Sequence, residues 1–188
     1  MKKIVSLVLA ALLALSLAAC GSKNNNSGDK PATPTSALNI LETVWNTYGE
    51  DEKFAVIGGD FSGANTREDA PGVFDLKDRA LVDSELGLPE TAAVDEAASL
   101  VHMMNANTFT AGAFHIANAP DVDAVVSDLK DNIINRQWMC GFPDKLVILT
   151  LGDYVISCYG AEDLVDQFSG KVTETFADAA VVCDEAIA

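Results

Sequence analysis

The sequence predicts an α+β domain: an antiparallel sheet built from two β-hairpin-like pairs, in the order ββαββα, with helices packed mainly on one face. Three observations predict it. Residues 146–151 and 154–159 are β-branched and apolar runs on either side of Gly152-Asp153, a two-residue hairpin turn. Residues 99–104 and 110–116 form a second pair around the loop-like Asn105-Ala106-Asn107-Thr108. Between the pairs, residues 120–139 carry the best helical periodicity in the chain.

Each element follows from local pattern. Ser36 reads as the N-cap of a helix whose residues Leu38, Leu41, Val44, Trp45 and Tyr48 share one face, and Gly49-Glu50-Asp51-Glu52 ends it. Residues 54–60 are a short apolar run broken by Gly58-Gly59, followed by a polar loop over 61–72. The glycine pair invites a phosphate-loop reading, but no Gly-Lys-Ser/Thr follows, so a turn beside a packed segment is expected. A helix is expected over 75–86, with Leu76, Ala80 and Leu81 inward, Gly87 as its αL cap and Pro89 blocking continuation. Residues 89–98 read as a further short helix. The hairpin at Gly152-Asp153 pairs Leu151 with Tyr154, Leu149 with Ile156 and Val147 with Cys158 on one core face. In the long helix Pro120 suits the first turn, Asp121 and Asp123 suit the positive N-terminus, and Val122, Val125, Val126, Leu129, Ile133 and Trp138 form the buried stripe. A last helix spans 161–168, extending towards Phe176, and 180–183 is a final strand or helix end.

The chain opens with a different kind of signal. Met1-Lys2-Lys3 is a short positive region, and residues 4–19 are an apolar segment too short and too Ala-rich for a membrane span. Leu17-Ala18-Ala19-Cys20-Gly21 then resembles the lipobox of bacterial lipoprotein signal peptides. That resemblance implies that residues 1–19 are removed and that Cys20 becomes a lipidated N-terminus, its thiol carrying a diacylglycerol. Two or more lipid chains hold a protein stably on a bilayer, at roughly 0.8 kcal/mol per buried CH₂. Residues 20–36 are the lipidated cysteine and a polar linker with Asn24-Asn25-Asn26, Pro31 and Pro34, which cannot bury a core. As a coil its sixteen residues after Cys20 reach roughly 20 Å. Residues 37–188 make a single globular domain. The expected location is the outer face of the cell membrane.

Composition narrows the partners. The chain has 12 basic and 28 acidic residues, and without Lys2 and Lys3 the count is 10 against 28, a formal charge of −18. Nucleic acid and anionic headgroups both demand a basic patch, so neither is expected as a ligand. The charge suits an ordinary acidic surface on an exported protein first, and a cationic peptide or a cation as partner second. Besides Cys20, the cysteines Cys140, Cys158 and Cys183 are odd in number and show no CxxC, so no disulfide framework or zinc site is signalled.

Reactive constellations are scarce. Trp138-Met139-Cys140-Gly141-Phe142-Pro143 is similar to the Trp-Cys-Gly-Pro-Cys of thioredoxins but lacks the second cysteine, and Cys140 is expected at a helix end, where the dipole disfavours thiolate. Cys158 reads as a buried, inert hydrophobe. His102, Met103, Met104, His115, Met139 and Cys140 could form a soft site for copper(I). Adjacent strand residues point to opposite faces, however, so core packing is the expected role of these methionines. No Gly-x-Ser-x-Gly and no His-Glu-x-x-His occurs. The sequence therefore nominates no catalytic, cofactor-binding or metal-binding residue, and only Cys20 as a lipid-attachment site.

The segments 54–60, Gly87-Leu88-Pro89, 99–107 and 135–143 together resemble a group of uncharacterised lipoproteins of Gram-positive bacteria, a family described as a domain of unknown function. Some members carry the label bacteriocin transport accessory protein. The likeness covers about residues 38–168 and implies an exported, lipid-anchored globular domain. Accessory proteins of that name are otherwise thioredoxin-like, and this chain lacks their paired cysteines. Three functions are consistent with the sequence. The leading one is a non-catalytic binding or adaptor domain for an envelope protein or peptide. The others are an accessory factor for peptide or bacteriocin export or maturation, and a carboxylate-based envelope enzyme.

Overall fold

A computed structural model describes residues 33–118 and 121–187. The expected signal peptide, Cys20, the linker as far as residue 32 and Pro120 lie outside the described residues. Helix α1, Ala37–Trp45, starts where expected: the Ser36 side chain accepts from Asn39 N–H at 3.0 Å. Its stripe of Ile40, Leu41, Val44 and Trp45 is buried against the sheet. Three short strands follow, β1 (Val56–Gly58), β2 (Arg67–Glu68) and β3 (Gly72–Val73). Helix α2 spans Arg79–Leu86. It begins four residues later than the sequence pattern places it, because the Asp78 carboxylate accepts from Leu81 N–H and so sets the first turn. Its buried residues are Val82 and Leu86, with Leu81 half-buried and Ala80 exposed. Gly87 closes it at φ 75°, as the αL cap requires.

Strands β4 (Val94–His102) and β5 (Phe109–Ile116) form one hairpin, and β6 (Lys145–Leu151) and β7 (Tyr154–Gly160) the other. The second has the expected register: Leu151 faces Tyr154, Leu149 faces Ile156 and Val147 faces Cys158. Only the first of its two turn residues, Gly152, has a positive φ, the pattern of a II′ turn. Between the hairpins runs helix α3, Val122–Ile134, and after them come α4, Glu162–Thr175, and an edge strand β8, Ala180–Ala186. The sheet has eight strands in the order β2-β1-β4-β5-β7-β6-β8, with β3 also paired to β4, and every pairing is antiparallel. The element order is thus longer than ββαββα: two helices and three strands precede that set and β8 follows it.

Three expectations are corrected here. Residues 94–98 are not helical; they are the first half of β4, paired along one side with β5 and, at Ala98, with β3 on the other. Helix α3 stops at Ile134, and residues 135–144 form a loop. Helices cover both faces of the sheet, not mainly one. On the first face α1 and α4 bury Leu41, Phe168 and Val172 against Leu100, Phe109, Leu149 and Cys158. On the second, α2 and α3 bury Leu86, Leu129 and Ile133 against Phe114, Ile148, Val155 and Tyr159.

Topology explains the third correction. β5 and β6 run parallel, as do β7 and β8, and each pair is joined by one helix across an intervening strand. Both crossovers travel towards β8, but β5 and β7 point in opposite directions. Two crossovers of the same hand must then lie on opposite faces.

Candidate ligand cleft at the open edge of strand β4

The side of β4 away from β5 is shared by two short strands. β1 pairs with Val101 and His102, and β3 with Ala98 and Ser99. The chain after β3 makes one more bond, Phe74 N–H to Ala97 O at 2.9 Å, and then turns away towards α2. Among the described residues no strand covers Val94, Asp95 or Glu96 on that side. A cleft of about 520 Å³ opens there. One wall is the N-terminus of α1, with Ser36, Ala37 and Leu38, and the other is Val73 to Leu76.

The cleft depends on a rigid loop beneath it. Gly58, Gly59 and Gly72 bring two chain segments into backbone contact. A Cβ on Gly59, where φ is 98°, would sit 2.1 Å from Asn65 O, and one on Gly58 would sit 2.2 Å from Gly72 N. The buried Ser99 hydroxyl closes this crossing by accepting from Gly59 N–H and donating to Gly59 O, both at 2.9 Å. The glycine pair is therefore a packing device at a backbone crossing, with Gly58 inside β1, where the sequence reading expected a turn beside a packed segment. Asp60, only 7% exposed, ties the following loop: its carboxylate accepts from Ser62 N–H at 2.9 Å, the Ser62 hydroxyl at 2.5 Å and Asn65 Nδ2 at 2.7 Å. Burial alone would raise its pKa, but these donors and the Asp75 amide outweigh it and hold the carboxyl below the usual aspartate range.

Three carboxylates line the cleft: Asp75, Asp95 and Glu96. Glu96 accepts from Ala37 N–H at 2.9 Å, so a sheet carboxylate occupies one of the free amide positions at the α1 N-terminus. Asp95 is the extra residue of a β-bulge, since Val94 pairs with Ile116 and Glu96 with His115. Its carboxylate meets His115 Nδ1 at 2.5 Å, and the His115 ring packs on Tyr154 at 4.9 Å between centroids. Burial, with Glu96 and Asp95 adding to it, raises the pKa of Tyr154. Asp75 accepts from Lys77 N–H at 2.9 Å and from Lys77 Nζ at 3.1 Å, which lowers its pKa. Leu38 and Leu76 are half-buried and Val73 is exposed, so apolar surface lies beside the acidic rim.

Sequence reasoning assigned none of these residues to a ligand cleft: Ser36, Leu38 and Leu76 entered it only as helix residues. Asp95 and Glu96 lay in the stretch misread as a helix, and nothing local marks a bulge. Other expectations also change. Met103, Met104 and Met139 are not core: they are 42%, 81% and 80% exposed, because β4 ends at His102 and Met139 lies in the loop after α3. Phe142, 69% exposed, joins them at one end of the sheet, where Asn107 Nδ2 bridges Met139 O and Gly141 O at 2.8 Å each. Cys140 ends no helix. It is an exposed free thiol at φ 65° in that loop. Cys158 is buried on the α1/α4 face as expected, and burial raises its pKa. Cys183 is buried on the opposite face, where burial likewise raises it. His102 stacks on Phe54, with ring centroids 5.7 Å apart, and its Nδ1 accepts from Met104 N–H. Among the described residues, no three His, Cys, Asp or Glu side chains converge as metal ligands.

Comparison with family models, with curated proteins and with solved structures finds no match to this chain.

Proposed function

We propose that this protein is a lipid-anchored, extracytoplasmic binding domain, held at the cell envelope by a diacylglycerol on Cys20 and taking its ligand in the cleft at the open edge of β4. The observation that carries the binding reading is that cleft. It combines uncovered strand backbone, apolar walls and fixed carboxylates, on a loop pinned by Ser99 and Asp60. Each cleft carboxylate already has a partner: Lys77 for Asp75, the Ala37 amide for Glu96 and the His115 ring for Asp95. That arrangement favours holding a ligand over acid/base chemistry, which needs two groups with opposed environments. The anchor reading rests on the lipobox-like Leu17-Ala18-Ala19-Cys20 and on the resemblance to exported lipoproteins.

Two experiments test the two halves. Cells fed labelled palmitate incorporate it into the wild-type chain and not into Cys20→Ser, and the wild type alone partitions into the detergent phase. Equal labelling of both chains refutes the anchor. A photo-crosslinking residue at Leu76 traps an envelope component, and one on the far sheet edge at Val182 does not. Trapping at neither position, or equally at both, refutes the cleft as the binding site.

A further inference from the structure

The occupant of the cleft can be narrowed by the kind of surface that lines it. We infer that it is an extended, basic peptide segment that adds as a short strand to the edge of β4, continuing the line of β3 over Val94–Glu96. This deepens the binding reading above and rests on it.

Three features lead to this occupant. The first is backbone. β3 covers only Ala98 and Ser99, and the edge beyond Ala97 is left without a strand although β5 pairs its other side. An uncovered edge offers hydrogen bonds that only an extended chain can take up in register. Three residues of β4 span about 10 Å, a length matched by a guest of similar size. The second feature is the pair of walls. A strand laid there would send alternate side chains to the two sides of the sheet edge, one towards Leu38 and the α1 N-terminus, the other towards Leu76.

The third is charge. All eight Lys and Arg side chains between residues 33 and 187 are tied to a carboxylate or a backbone carbonyl of their own chain, against 27 acidic residues in the same span. Asp75 has Lys77, but Glu96 has only the Ala37 amide and Asp95 only the His115 ring. Among the described residues no Lys or Arg answers those two, so a cationic guest meets the field that the cleft presents. A second copy of this acidic chain would bring like charge to like, and an acidic peptide would do the same.

The test uses the folded chain from residue 21 onwards and an eight-residue synthetic peptide of alternating Lys and Val. Two twins of the peptide accompany it, one with every Lys replaced by Gln and one with alternate backbone amides N-methylated. Titration followed by amide NMR should show the Lys peptide binding and shifting the Val94–Ala97 resonances. The Gln twin and the N-methylated twin should each bind at least about tenfold more weakly. Raising salt should weaken the Lys peptide, and the double variant Asp75→Asn/Asp95→Asn should do so at constant salt.

Equal binding of the Gln twin overturns the charge argument. Equal binding of the N-methylated twin overturns strand addition. Concentration-dependent dimerisation that shifts the same amides identifies a second copy as the occupant and overturns the proposal. If no peptide binds while Leu76 still traps an envelope component, this inference fails and the binding reading stands. If Leu76 traps nothing either, both fail.

Discussion

Ser99, Asp60 and Tyr48 show how much of this fold turns on single polar atoms. The Ser99 hydroxyl satisfies both backbone groups of Gly59 in the interior, so Ser99→Ala leaves a buried N–H and C=O without partners. Such a loss costs about 1–3 kcal/mol, and chemical denaturation should show it as a lower midpoint with an unchanged slope. Tyr48 presents the opposite case. Its hydroxyl is buried with no hydrogen-bond partner among the described residues, and burial raises its pKa. The ring keeps its place under Lys171 Nζ, 4.6 Å from the centroid, without the hydroxyl. Tyr48→Phe should therefore be neutral or stabilising by up to about 1 kcal/mol, and a clear loss of stability in thermal melts would contradict that. Asp60 adds a pH dependence. Its folded-state pKa is depressed, so its stabilisation is complete above the ordinary aspartate value of about 4 and drains as pH falls through the lower folded value. Asp60→Asn should flatten this acid limb, and melts between roughly pH 2 and 6 compare the two.

Elements here divide by how local their instructions are. The Ser36 cap, the αL glycine at Gly87 and the Gly152-Asp153 turn are readable because each is a contact between near neighbours. The hairpin of β6 and β7 was legible to the residue, since a two-residue turn fixes the register of everything beyond it. β4 was half missed because its Val94-Asp95-Glu96-Ala97 start carries a bulge and two carboxylates, which break the alternation that marks a strand. The end of α3 was overrun because Trp138 continues the helical spacing, yet its ring packs on Tyr159 from a loop, under the Arg136 guanidinium. Helix α1 draws on both kinds of instruction: a local cap from Ser36 and a remote one from Glu96, 59 residues away. Ser36→Ala should cost about 0.5–2 kcal/mol, whereas Glu96→Gln keeps an acceptor on Ala37 N–H and should cost less. Helix content followed by circular dichroism at increasing denaturant separates the two.

At the scale of the whole molecule, stability comes from two cores on one sheet. Phe109 lies at the centre of the α1/α4 core, with edge contacts to Phe54 and Phe168 at 5.3 and 5.4 Å and no exposed surface. Phe109→Ala should destabilise by about 3–5 kcal/mol. Ion pairs at the rim hold the layers together at few points, most fully at Lys145, which meets both Asp166 and Asp184 and has its pKa raised by them. The acidic surplus elsewhere repels itself. Added salt should therefore raise the melting temperature modestly, by screening carboxylates that have no cation.

The sequence by itself determined the α+β class, the hairpin at Gly152-Asp153, the cap at Ser36 and the acidic balance, since each is a matter of neighbouring residues or of counting. It also marked Cys20, through the pattern around it. Which face each helix covers, the exposure of Met103, Met104 and Met139, and the cleft at β4 were decided only by tertiary structure. Those features depend on strand direction and on partners far apart in the chain: Ser99 with Gly59, Glu96 with Ala37, Asp95 with His115. Their members stand 40, 59 and 20 residues apart, beyond the reach of the short windows in which local pattern is read.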